Sequence, residues 1–109
     1  MIIELKKFGD ILLSRPAGRE AFDAIRPNIN PNEEVKVSFE GVSVATPSWV
    51  DEFITHLGKY VEGKVEVLPT QNVSVLATLR ILVEAGNEPS ASIASQFLKK
   101  VEGSRAGGG

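Results

Sequence analysis

The stretch EVKVSFEG, residues 34–41, constrains this chain more than any other. Val35, Val37 and Phe39 alternate with Lys36, Ser38 and Glu40, the period-two pattern of a strand with one dry and one wet face. GKVEVLP, residues 63–69, repeats it: Val65 and Val67 are flanked by Lys64 and Glu66. Strands covered on both faces tend to be continuously apolar, so these two predict a sheet with helices on one face only. Between them, Trp49, Val50, Phe53, Ile54, Leu57 and Val61 follow the i, i+3, i+4 spacing of a helix with one buried face. Its polar face carries Asp51, Glu52, Thr55, His56 and Lys59, and Gly63 is placed to terminate it.

The flanking segments extend the same theme. MIIELKKFG reads as a strand with Ile3 and Leu5 on one face and Glu4 and Lys6 on the other. Ser14 can cap a helix whose stripe is Ala21, Phe22 and Ile25, with Pro27 and Pro31 marking its end. Gly41 interrupts the central alternation and leaves room for a short extra strand over residues 42–45. A further helix is predicted from an Asn72 cap to Gly86. It is apolar on nearly every side (Val73, Val75, Leu76, Leu79, Ile81, Leu82, Val83), so it is expected to be deeply packed or to lie under another element. Ile93, Ala94, Phe97, Leu98 and Val101 predict a last helix over residues 90–102, after a Ser90 or Ser92 cap. That helix packs in cis or offers Ile93, Phe97 and Val101 to a partner or second copy, and packing in cis is the stronger expectation. The order predicts an α/β fold: a small mixed or mostly parallel sheet covered by helices on one face.

With 109 residues the chain is expected to form one domain, residues 1–103, followed by a flexible tail at 104–109. There is no cysteine, hence no disulfide framework and no thiolate metal site. No apolar run suits a membrane span or signal peptide, so a cytoplasmic address is expected. A formal net charge of −2 gives no general attraction to nucleic acid or anionic membranes. No cofactor or metal is expected. His56, the single histidine, reads as a solvated surface residue near Asp51, Glu52 and Lys59. A triad of Ser48, His56 and Asp51 fails on distance, because His56 lies two turns along, about 12 Å up the axis. Asp51 and Glu52 read as first-turn carboxylates favoured by the helix dipole. These features argue against an enzyme.

Ser48 is the residue that draws attention. It can be the N-cap of its helix, with Asp51 completing a weak capping box. Alternatively Thr46 caps, Pro47 takes the first helical position, and the Ser48 hydroxyl is more available. Either way a phosphoryl group would be well tolerated there, beside free N–H groups at the positive end of the dipole. Trp49 either shares the buried stripe with Phe53, the favoured reading, or stands exposed as a partner anchor. Ser14 and Arg15 are candidates for an anion or loop contact, with a pairing of Arg15 to a neighbouring carboxylate the stronger expectation. A crevice at the strand ends near Thr46, Ser48, Ser14 and Arg15 would be the place for a small ligand.

VKVSFEGVSVATPSWVDEF resembles the central signature of STAS domains, the fold of anti-sigma-factor antagonists and of the cytoplasmic ends of sulfate transporters. The chain is more closely similar to the STAS-like family of unknown function. The resemblance runs through Phe8-Gly9, Ser14-Arg15, Gly41-Val42 and Ser48-Trp49-Val50-Asp51-Glu52, and covers roughly residues 1–83. It implies a one-sided α/β sheet and signalling by protein contact. In the antagonists a serine at the start of the second helix is phosphorylated by a histidine-kinase-like ATPase, and phosphorylation releases that partner. The resemblance places Ser48 on that serine and implies partner contacts at Thr46, Pro47, Ser48, Trp49, Asp51 and Glu52. Where the antagonists carry Asp-Ser-Ser-Gly, this chain has Thr46-Pro47-Ser48-Trp49.

Overall fold

The computed structural model describes the backbone of residues 1–108 and the side chains of residues 1–101. In chain order the elements are β1 (Ile2–Glu4), β2 (Ile11–Leu12), α1 (Arg15–Ile25), β3 (Val35–Ser38), β4 (Val44–Ala45), α2 (Pro47–Tyr60), β5 (Val65–Val67), α3 (Val73–Ala85) and α4 (Ser90–Gly108). Short 3-10 turns occupy Leu5–Phe8 and Arg26–Asn28.

The main sheet has strand order β1-β3-β5 and is parallel throughout. Its register stacks Ile3, Val37 and Val67 across the dry face and Ile2, Lys36 and Glu66 across the other. Val35, Val37, Val65, Val67 and Ile3 are all buried, whereas Ile2 and Glu4 are exposed and Lys36 and Glu66 half-buried. The one-sided α/β sheet expected from the alternation is therefore the fold found. Ser38 departs from the pattern. It is buried at the strand end, where its hydroxyl accepts the Glu40 N–H at 3.2 Å.

The opening segment is not one strand. After β1 the chain coils through the 3-10 turn and re-enters as β2, which pairs in parallel with β4 (Ile11 with Val44, Leu12 with Ala45). Thus β4 is the short strand expected over 42–45, and β2 is its unforeseen partner.

Helices α1 and α2 run in parallel: Arg15 reaches Asp51, Arg19 reaches His56 and Phe22 meets Tyr60, so contacts climb both helices in step. Gly18 permits their close approach, because a Cβ there would stand 2.5 Å from the Trp49 carbonyl oxygen. Phe8, Phe22, Trp49 and Phe53 interlock beneath this contact, with Trp49 and Phe53 stacked at 5.1 Å.

Two expectations about helices need correction. α3 buries only Val75, Thr78, Leu79 and Leu82, while Val73 is 80% exposed and Ile81 and Val83 are also exposed. Its all-round apolarity exceeds the cover that α4, α2 and β4 provide. α4 does bury Ile93, Ala94, Phe97 and Leu98, so it packs in cis. Its helix runs beyond the expected end at residue 102, and the expected tail at 104–109 lies outside the residues whose side chains are described.

Candidate functional site

The parallel arrangement brings the N-termini of α1 and α2 to the same end of the molecule. Ser14 caps α1, its hydroxyl accepting the Ala17 N–H at 3.3 Å. Thr46 is the N-cap residue of α2 by backbone geometry, but its hydroxyl instead donates to the Leu12 carbonyl at 3.2 Å, fastening α2 to β2. Pro47 then takes the first helical position, where its missing N–H costs nothing. Ser48 is consequently the second residue of the helix, not its cap, and it is exposed. Thr46 and Pro47 are half-buried beside it.

Trp49 is only 2% exposed and stacks in the core. It therefore offers no anchor to a partner, and its indole does not obstruct approach to the neighbouring serine.

Asp51 and Glu52 share one cation. Arg15 Nη1 lies 2.9 Å from Asp51 Oδ2 and 3.1 Å from Glu52 Oε1, so the carboxylate pairing expected of Arg15 is present. Asp51 is not a solvated first-turn acid. It is 9% exposed, and Ser90 Oγ, fully buried at the start of α4, donates to its Oδ1 at 2.6 Å. Thr55 Oγ1 adds a long contact to the same oxygen at 3.4 Å. Burial pushes the Asp51 carboxyl up, but hydrogen bonds from Ser90 and Arg15, the Arg15 charge and the Thr55 hydroxyl outweigh it. The net position is below the usual aspartate value. One side chain thus ties α1, α2 and α4 together.

His56 is also more engaged than a solvated residue. Its ring stacks on Phe22 at 5.7 Å, and Nε2 lies 3.3 Å from Glu52 Oε2 and 3.1 Å from Arg19 Nη1. The α1–α2 surface thus carries a run of polar and charged contacts, continued by Arg19 to Asp23 at 3.1 Å. Among the described residues every buried side-chain polar atom has a partner, and no cluster of three or more potential metal ligands occurs. No described helix is long and apolar enough to cross a membrane.

Exposed apolar residues occur on the short strands that lead into α2 and at the start of α3. Ile11 and Val44 are register partners and both exposed, as is Leu13, which follows β2. Val73 joins them. Its neighbours Asn72 and Ser74 are bonded to this strand region, Asn72 Nδ2 to the Val42 carbonyl at 2.7 Å and the Ala45 N–H to Ser74 Oγ at 3.2 Å. A separate open cavity of about 670 Å³ lies between the end of β5 and α4, bordered by Val67, Leu68, Pro69 and Phe97. Phe97 and Val101 of the α4 stripe border it, whereas Ser14, Arg15, Thr46, Ser48, Asp51 and Glu52 do not.

Sequence reasoning missed Ser90 as a partner of Asp51 and missed β2 as the anchor of Thr46. A serine before an apolar stripe was legible as a helix start, but its contact lies 39 positions away in the chain.

No curated protein and no solved structure matches the chain. The family match is narrower than the resemblance suggested: from the first turn of α1 to the last residue of α2, residues 17–60 match the model of a STAS-like domain of unknown function, and this chain is similar to that family over a span that includes Ser48, Asp51 and Glu52.

Proposed function

We propose that this chain is a non-enzymatic regulatory module that docks a histidine-kinase-like ATPase on the start of α2 and is switched by phosphorylation of Ser48. The observation that carries the reading is an exposed serine in the first turn of a helix, released from capping by Thr46, in a helix that follows directly on β4, whose Val44 is exposed together with its register partner Ile11. Exposed apolar residues gathered beside a polar feature mark an interaction surface. The helix start lends free N–H groups and a positive dipole end to an added phosphate. In the transfer, Ser48 Oγ bonds to the γ-phosphorus of ATP while that phosphorus parts from the β–γ bridging oxygen. ADP leaves with the bonding pair, and the hydroxyl proton passes to a base of the partner. The added charge, about −1.5 to −2, then faces Glu52 and Asp51 and opposes the contact. The test is incubation with a purified histidine-kinase-like ATPase and radiolabelled ATP. Label is expected on the native chain and not on Ser48→Ala; equal labelling of both would remove the switch.

A further inference from the structure

We infer that Arg15 and Asp51 form a relay through which a phosphate on Ser48 loosens the start of α4. The inference rests on Ser48 as the modified residue, and it names what that modification does inside the molecule. Ser48 precedes Asp51 by three positions and Glu52 by four, so all three occupy one face of α2. The cation on that face is Arg15, whose Nη1 is shared between the two carboxylates and whose side chain is half exposed. A phosphoserine competes for it strongly, since guanidinium pairs with phosphate through two parallel hydrogen bonds.

When Arg15 turns to the phosphate, Asp51 keeps a buried negative charge with only neutral partners, the hydroxyls of Ser90 and Thr55. A buried carboxylate deprived of its cation is strongly disfavoured, and the phosphate repels it as well. Water becomes available to it by opening the first turn of α4, where Ser90 closes over it. Ser90 already has a second acceptor, the Asn87 carbonyl at 3.1 Å, and its single proton can serve only one acceptor at a time. The same turn rests on α2 where Pro89 and Ile93 lie against Gly58. The element that responds is therefore the junction of α2 and α4, remote in sequence from Ser48.

The test is hydrogen exchange on the full chain with phosphoserine installed at position 48 during synthesis. Exchange of the amides of Ala91 and Ile93, which bond to Asn87 and Pro89, is expected to accelerate about fivefold or more, the lower range of coupling between linked sites. In the Asp51→Asn chain, which has no buried charge to strand, the phosphoserine should bring no acceleration. Unchanged exchange in the phosphorylated native chain, or the same acceleration with Asp51→Asn, overturns the relay. Failure of the ATPase to label Ser48 would count against the proposed function alone, because here the phosphate is installed and not transferred.

Discussion

Ser14 is held at φ 76° and ψ 147°, a region of backbone space that glycine enters freely and other residues enter under strain. The strain is of order 1–3 kcal/mol. Two effects oppose its relief in Ser14→Gly: loss of the side-chain cap, worth a few tenths of a kcal/mol for this replacement, and the greater freedom of glycine in the unfolded chain. The expected result is a gain of about 1 kcal/mol, read as a higher urea midpoint with an unchanged slope. Ser48 poses the converse question. Were it the cap of α2, Ser48→Ala would cost about 1 kcal/mol. Because Thr46 holds that position and Ser48 is exposed, the expected change lies within about 0.5 kcal/mol. Urea denaturation of the two variants distinguishes these outcomes without any partner.

Among the elements, α1, α2 and α4 meet at Asp51, and that junction titrates. Its carboxyl is held below the usual aspartate value in the folded chain by the Ser90, Arg15 and Thr55 contacts, which outweigh burial; Glu52 shares the same Arg15. A carboxyl depressed on folding stabilises the fold fully above its unfolded value, and the stabilisation is lost as pH falls through the folded value. The window therefore lies below about pH 4. The native chain should lose stability there more steeply than Asp51→Asn, as followed by urea midpoints across that range. Equal slopes would show that Asp51 does not hold the junction through its charge. The elements also mark what the sequence could disclose. β3, β5 and α2 were legible because their periods are local: Val35 and Val37 alternate, and Trp49, Phe53 and Leu57 recur along one face. β2 was not, since two residues carry no period and Ile11–Leu12 become a strand only by pairing with β4. Asn72 and Ser14 were legible as caps because their bonds span three residues. The exposure of Val73 and Ile81 was not, because an apolar residue does not announce whether a neighbour covers it. For the candidate site, Ser48 was legible from its place at a helix start only as a cap or a tolerated phosphate position, and the family resemblance is what singled it out, while the inward turn of Asp51 toward Ser90 depends on where α4 returns.

At the scale of the whole molecule, the buried side chains form one connected cluster from Ile3 to Leu98. The close approaches that seal it involve backbone: Gly18 against Trp49 joins α1 to α2, and Gly58 against Pro89 and Ile93 joins α2 to α4. Trp49 sits where these layers converge, 2% exposed and stacked on Phe53, and it is the single tryptophan of the chain. Its fluorescence therefore reports the core, while far-ultraviolet circular dichroism reports the helices. If the helices and sheet share one core, both signals must change at the same urea concentration, as small single domains generally unfold in one step. Gly18→Ala should move both midpoints down together, because a methyl group 2.5 Å from the Trp49 carbonyl forces α1 away from α2, at a cost of about 1–3 kcal/mol. Were tryptophan emission to shift at lower urea than the helical signal, α3 and α4 would form a unit stable without the α1–α2 layer. The Asp51–Ser90 contact could not then couple the start of α2 to α4, since coupling of that kind requires both helices to belong to one cooperative structure.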